Sequence, residues 1–273
     1  MPEGPEIQLA ADQVGEAIIG RPTTAVFFAF DSLKKYEALL TGVAVTAVQA
    51  HGKAMLTRFA NGWNIYSHNQ LYGQWMVCNA HDFPDTNRQL RLALHNEAQS
   101  ALLYSASDIA VLPDGELDSH PFLSKLGPNL LDKSVTVPQV AARFMAGEFA
   151  RRRLTSLLLD QGFLAGLGNY LRSEVLFVAR VHPDLRPVDC TDEQILALAA
   201  AAVSLTRQSY RTKGITNDLA LAQKLQAAGQ SYSDYRFWVF DRDGRPCYNC
   251  GTPISKDTIG GRRLYYCPTC QSK

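Results

Sequence analysis

Four cysteines near the end of the chain have the spacing of a metal site. They are Cys247, Cys250, Cys267 and Cys270. The pattern C-x₂-C-x₁₆-C-x₂-C is typical of one zinc ion bound by four thiolates. Four protein ligands leave no open position for water or substrate, so we expect a structural zinc. The remaining cysteines, Cys78 and Cys190, are isolated and are predicted to be buried thiols.

The chain begins with two prolines and two acids, in MPEGPEIQLA. One interpretation is helix capping, because proline is tolerated in a first turn and acids there complement the helix dipole. The other is chemical. Removal of Met1 would make Pro2 a free secondary amine, and an α-amino group titrates near ~7.7–8.0. Such an amine can form a Schiff base with a carbonyl carbon, with Glu3 in reach to move protons.

The last 38 residues carry most of the excess positive charge. Seven Lys/Arg stand against three Asp/Glu between Arg236 and Lys273, whereas the whole chain has a net charge of +1. Between the cysteine pairs, TIGGRRLYY predicts a strand, a Gly-Gly turn and a second strand. Arg262 and Arg263 would lie at the hairpin tip, where they could bind phosphate or remain solvated.

The elements that must position these residues change character along the chain. Residues 1–20 have apolar positions at helical spacing. Short alternating segments follow, which predict an antiparallel sandwich or barrel up to about residue 110. The segments are TTAVFFAF, GVAVTAVQA, AMLTRFA, WNIYSH, GQWMVCNA, RLALHN and ALLYSA.

Helical periodicity returns from about residue 138. The predicted helices are VPQVAARFMAG, RRRLTSLLLDQ, YLRSEVLFVAR and DEQILALAAAAVSLTRQSYRT, the last capped by Thr191. A glycine-rich turn, DQGFLAGLGNYLRSEVLF, separates two of them and could expose backbone N–H groups to a phosphate. GPNLLDKSVT is predicted to link the two halves, and residues 214–230 remain unassigned.

Composition excludes a membrane-spanning protein. The 273 residues are 46% hydrophobic and 19% charged, and no apolar run reaches the ~18 residues that a span requires. The start of the chain lacks the basic and apolar regions of a signal peptide. We therefore expect a cytoplasmic protein with reduced thiols.

Taken together, these features resemble the formamidopyrimidine-DNA glycosylase/endonuclease VIII family of base-excision repair enzymes. The resemblance spans nearly the whole chain, and MPEGPE, HGKAML, YSHNQLYGQW and LLYSASD are most similar to bacterial endonuclease VIII. It implies a multidomain α+β fold. An N-terminal helix and antiparallel β-sandwich would occupy residues 1–125, a helix–two-turn–helix domain 132–225 and a zinc ribbon 236–273.

The resemblance also implies a catalytic set. Pro2 would attack the anomeric carbon of a damaged nucleotide, Glu3 would move protons and Glu6 would support the site. Lys53, in HGKAM, would contact a phosphate and assist elimination. Without the resemblance, we would interpret it as a surface lysine in a hairpin. Arg263 would bind the phosphate of the lesion and assist a second elimination. No catalytic metal or organic cofactor is implied.

Further residues would bind DNA. Gln70, Leu71 and Tyr72 match the wedge that fills the space left by a flipped nucleotide, although by themselves they would read as a partly buried turn. Asn169 matches a phosphate-binding asparagine. Lys125, in HPFLSKLGP, stands where the family has arginine. Lysine keeps the charge but lacks the bidentate fork of a guanidinium.

The resemblance therefore implies a bifunctional DNA glycosylase and abasic-site lyase that acts as a monomer on oxidised pyrimidines in duplex DNA, within the bacterial nucleoid. The same chemistry on oxidised purines is the first alternative. A zinc-ribbon protein that binds damaged DNA without catalysis is the second.

Overall fold

The computed structural model describes residues 2–272. The chain divides into two compact units, residues 1–125 and 126–273. The predicted α+β architecture with a terminal four-cysteine ribbon is confirmed. None of the helices in the described part is long and apolar enough to cross a membrane.

The first unit opens with helix α1 (Gly4–Ile18). Pro5 lies in its first turn, and the backbone N–H of Glu3 donates to Glu6 Oε2 at 2.9 Å, which caps the helix. The helix ends before Gly20, whose φ of +77° favours glycine. The buried stripe of α1 contributes to the core of the unit through Ile7, Ala11, Val14 and Ile18.

Eight antiparallel strands of the first unit form two sheets among its described residues. One sheet has the order β2-β3-β4-β8 and the other β1-β6-β7-β5. The core contains apolar side chains from both sheets, as predicted for a sandwich. The strands are β1 (Ala25–Phe28), β2 (Val45–His51), β3 (Ala54–Phe59), β4 (Trp63–His68), β5 (Gln74–Asn79), β6 (Leu90–His95), β7 (Gln99–Tyr104) and β8 (Asp108–Pro113). Short helices α2 (Asp31–Lys34) and α3 (Glu37–Leu40) connect β1 to β2.

The second unit is helical and ends in a two-stranded hairpin. Its elements are α4 (Val137–Phe144), α5 (Leu154–Leu157), α6 (Asn169–Val178), α7 (Asp192–Arg211), α8 (Leu219–Ala227), α9 (Tyr232–Tyr235), β9 (Ser255–Ile259) and β10 (Arg262–Tyr266). Thr191 caps α7 by accepting from the N–H of Gln194, because a threonine oxygen can replace the missing helical acceptor. Helices α4, α6 and α7 share one apolar core.

One predicted helix needs correction in this unit, and the structure assigns a stretch that the sequence left open. RRRLTSLLLDQ forms only the four-residue α5, because Arg152 pairs with Asp160 at 2.7 Å and the Asp160 carboxylate accepts from the N–H of Gly162. These bonds favour a turn over a longer helix. The unassigned stretch contains α8, which begins after the capping residue Asp218.

Candidate active site

The start of the chain places a buried acid beside the candidate nucleophile. Pro2 is half-buried, whereas Glu3 is only 3% exposed. The Glu3 carbonyl accepts from the N–H of Ile7 at 3.1 Å, so its backbone belongs to the first turn of α1. Capping by Glu6 thus fixes the backbone that carries Glu3, and capping and acid–base chemistry are compatible here. Loss of Met1 lies outside the described residues.

Lys53 occupies the tight turn between β2 and β3. Gly52 provides the left-handed backbone of this turn, with φ +60°. Lys53 itself is 8% exposed, so its interpretation as a surface lysine is wrong. Burying an ammonium group is costly unless other groups compensate for its lost hydration. The fold therefore maintains this lysine in a place where its charge is only weakly screened.

Strand register brings the Lys53 turn and the wedge segment to the same end of one sheet. Ala54 pairs with His68, and His68 pairs with Asp108 on the other side. The Lys53 turn, the loop that follows His68 and the segment before Asp108 therefore share this end. The first unit assembles the candidate groups by long-range pairing of β3, β4 and β8.

The loop that carries Gln70, Leu71 and Tyr72, called the wedge loop below, is exposed. Leu71 is 50% exposed and Tyr72 69% exposed, and Gln70 also lies on the surface. The interpretation as a partly buried turn is therefore wrong for these side chains. Covering large apolar side chains on a loop tip lowers the free energy, because apolar surface is removed from water. Their exposure is consistent with insertion into a base stack.

In the second unit, the glycine-rich turn is braced by polar side chains. Gln161 accepts from the N–H of Gly166 at 3.0 Å, and Gly166 has φ +96°. Arg143 Nη2 donates to the Gly162 carbonyl at 2.6 Å. Asn169 follows as the first residue of α6, and its buried Oδ1 has no hydrogen-bond partner within residues 2–272.

The four ribbon cysteines form a cluster suited to zinc. Their Sγ atoms all lie within 4.8 Å of one another, and a tetrahedron with Zn–S of about 2.3 Å has S–S edges of about 3.8 Å. A hydrogen bond with Thr252 lowers the pKa of Cys250 to about 6, whereas burial raises the pKa of Cys267 and Cys270. Four clustered thiolates require a cation, so the donor set fits one structural zinc. By contrast, Cys78 and Cys190 lie outside this cluster and are half-buried rather than buried.

The hairpin that carries Arg263 is attached to helix α6. Gly260 and Gly261 form its tip with φ +57° and +75°, and Arg263 is exposed beside them. The buried Arg172 donates from Nη2 to the Arg263 carbonyl at 2.8 Å. Ser173 Oγ accepts from the N–H of Tyr265 at 3.2 Å. The α6 helix thus fixes the backbone from which Arg263 projects.

Some residues in these contacts were not singled out from the sequence. Arg172 lies within the glycine-turn motif, but nothing local indicates that it reaches β10. His68 and Ser107 lie within the quoted motifs YSHNQLYGQW and LLYSASD, and both contact Gln70. His68 stands two residues before Gln70, and this spacing was the one local indication of the contact, since the ring of a histidine can accept a hydrogen bond from a nearby N–H. Lys125 is exposed in a short 3₁₀ turn at the end of the first unit.

Three family models match successive parts of the chain. The formamidopyrimidine-DNA glycosylase N-terminal domain matches residues 1–106, and its H2TH domain matches residues 126–220. A zinc finger found in FPG and IleRS matches residues 244–273. "Endonuclease 8" of Klebsiella pneumoniae is 46% identical over 271 residues, covering 99% of this chain and 100% of the relative.

The chain belongs to the formamidopyrimidine-DNA glycosylase/endonuclease VIII family. "Endonuclease 8" of Salmonella paratyphi B is 45% identical over the same coverage. A solved structure of MutM in complex with carbocyclic 8-oxo-G containing DNA has the same fold, with a TM-score of 0.82, 19% identity and full coverage of both chains. As a member of this family, the chain is a DNA glycosylase and abasic-site lyase of base-excision repair.

Proposed function

We propose that this enzyme removes oxidised pyrimidines from duplex DNA through a Schiff base on Pro2 and then cleaves the strand. The observation that carries the substrate class is the 46% identity, over full length, to a chain named Endonuclease 8. The placement of Pro2 directly before the buried Glu3 supports the chemistry.

The reaction begins with the Pro2 nitrogen. Its lone pair attacks the anomeric carbon of the damaged nucleotide, the bond to the base breaks, and the base leaves with a proton. Glu3 moves protons while the sugar ring opens to an iminium ion. This cation makes the neighbouring sugar proton acidic, so its removal expels the 3′ phosphate. A second elimination expels the 5′ phosphate, and water releases the sugar fragment from the amine.

Other residues hold the DNA. Lys53 contacts a phosphate beside the lesion. Asn169 and Arg263, which both lie in the second unit, bind further phosphates. Electrostatic stabilisation by Lys53 is strengthened by its burial, because the surrounding dielectric is low. Gln70, Leu71 and Tyr72 fill the space left by the flipped nucleotide, and Lys125 supplies a further phosphate contact. The partner is damaged double-stranded DNA, and a single chain carries every proposed group.

Oxidised purines are the alternative substrate class. The family model is named for formamidopyrimidine, and a solved neighbour of the same fold was bound to 8-oxo-G containing DNA. A panel of matched duplexes with thymine glycol, dihydrouracil or 8-oxoguanine decides between the classes. We expect faster single-turnover excision of both pyrimidine lesions. Faster excision of 8-oxoguanine would contradict the proposal.

Borohydride reduction tests the nucleophile. We expect a covalent complex between the wild-type chain and duplex DNA that contains thymine glycol. Changing Pro2 to Gly with Met1 retained should abolish the complex, because the amine is then replaced by an amide. Mass spectrometry of the wild-type chain should find Met1 removed. A trapped complex from a chain that retains Met1 would rule out this nucleophile.

A further inference from the structure

The wedge loop is closed by a short turn that only glycine can complete. The N–H of Gly73 donates to the Asn69 carbonyl at 2.7 Å, and a Cβ on Gly73 would lie 2.5 Å from that same oxygen. On the far side of the turn, Arg88 Nη1 donates to the Tyr72 carbonyl at 2.5 Å. The ends of the loop are therefore fixed although its side chains are exposed.

Gln70, the first wedge residue, has an unusual backbone. Its φ is +52°, a left-handed conformation that is unfavourable for a residue with a side chain. Two contacts compensate for this cost. The N–H of Gln70 donates to His68 Nδ1 at 3.0 Å, and Ser107 Oγ donates to Gln70 Oε1 at 2.7 Å.

The His68 ring can accept this hydrogen bond only while Nδ1 is unprotonated. Burial lowers the pKa of His68, and the charge of Lys53 lowers it further, whereas Asp108 acts in the opposite direction. The imidazole is thus neutral near pH 7. Its plane is fixed by an edge contact with Phe122, whose ring centroid lies 5.3 Å away.

We propose that His68 is a positioning residue that holds Gln70 in its inserting conformation before DNA binds, with Ser107 fixing the amide. This inference rests on the proposed function. A loop that is already ordered pays less conformational entropy on binding than one that must be ordered by the DNA. His68 would thereby favour insertion into duplex DNA without contacting the reacting sugar.

The side-chain contact also orients Gln70. Because Ser107 Oγ donates to Oε1, the Nε2 group is the end of the amide left for DNA. In this orientation the wedge would present two N–H donors to acceptors in the DNA. Without Ser107, the amide could rotate and present oxygen instead.

Two substitutions of His68 separate the hydrogen bond from the ring. In His68→Asn, the side-chain oxygen can accept from the N–H two residues later, as in an Asx turn. In His68→Phe, the ring contact with Phe122 is kept and the acceptor is lost. Ser107→Ala is a second variant that leaves the strand pairing unchanged, and melting temperatures check folding in all three.

The readout is the rate of borohydride trapping on an abasic site in duplex DNA, divided by the rate on the same site in a single strand. A single strand has no base stack to fill, so the wedge should matter only in the duplex. We expect His68→Phe to lower this ratio about fivefold, the effect of one hydrogen bond. His68→Asn should retain most of the ratio, and Ser107→Ala should lower it.

Each outcome bears on the proposal. A wild-type ratio in folded His68→Phe would overturn the role of His68, and so would an equal loss in the Phe and Asn variants. No trapped complex from the wild-type chain on either DNA would overturn the proposed function as well. A normal ratio in Ser107→Ala would overturn the role of Ser107 alone.

Discussion

At the scale of single residues, the most informative observation is the burial of Lys53. A lysine in a two-residue hairpin turn usually extends into water, yet this one is 8% exposed. We predict that Lys53→Met lowers the rate of base removal by about 10²-fold, as for other losses of a group that stabilises developing charge. The first unit should remain folded, which its melting temperature checks. Single-turnover excision and thermal unfolding measure these effects.

Lys133 provides the matched control for this substitution. It is an exposed lysine in the second unit, so Lys133→Met removes the same charge from solvent and should change excision less than about twofold. If Lys53→Met both excised thymine glycol and cleaved the strand as fast as wild type, Lys53 would have no catalytic role.

At the scale of elements, β10 is the structural unit on which the role of Arg263 depends. Arg172 and Ser173 hold it from α6, and the cysteine cluster holds the ribbon around it. Structural zinc binding is coupled to folding. We therefore predict that Cys250→Ser unfolds the ribbon locally while the first unit stays folded. DNA binding should fall, and the second elimination should decrease relative to the first. Hydrogen exchange at Leu264 and Tyr265 and gel analysis of the cleaved ends report the two effects.

Cys190→Ser is the control for thiol loss, because Cys190 is outside the cysteine cluster. Chelation of zinc from the wild-type chain should reproduce the Cys250→Ser result. Full two-step cleavage after metal removal would show that Arg263 does not need the ribbon, and its proposed role would be wrong.

At the scale of the whole molecule, charge placement predicts the response to salt. The chain has a net charge of only +1, but its last 38 residues contain seven Lys/Arg and three Asp/Glu. Binding through several phosphates releases counterions, and log K falls with log salt by about 0.9 per phosphate. We predict that Arg263→Gln reduces the slope for duplex DNA by about one phosphate. Fluorescence anisotropy across a salt series measures the slope.

Arg186→Gln is the matched control at this scale. The Arg186 guanidinium already pairs with Asp189, with Nε 2.9 Å from Oδ2, so its loss should leave the salt slope unchanged. A slope that stayed the same in Arg263→Gln would mean that this arginine binds no phosphate.

The sequence by itself determined the elements whose signals are local. The cysteine spacing predicted the ribbon, and helical periodicity with its caps predicted α1 and α7. Alternation of apolar and polar residues predicted strands such as β4. Each of these patterns depends on residues a few positions apart. The tertiary structure alone decided the burial of Lys53, the meeting of His68 and Ser107 at Gln70, and the attachment of β10 to Arg172. The Ser107–Gln70 and Arg172–Arg263 contacts join residues 37 and 91 positions apart, and the position of the Lys53 turn beside His68 depends on sheet register. Local propensity does not encode such distances, so only the packed chain brings these groups together.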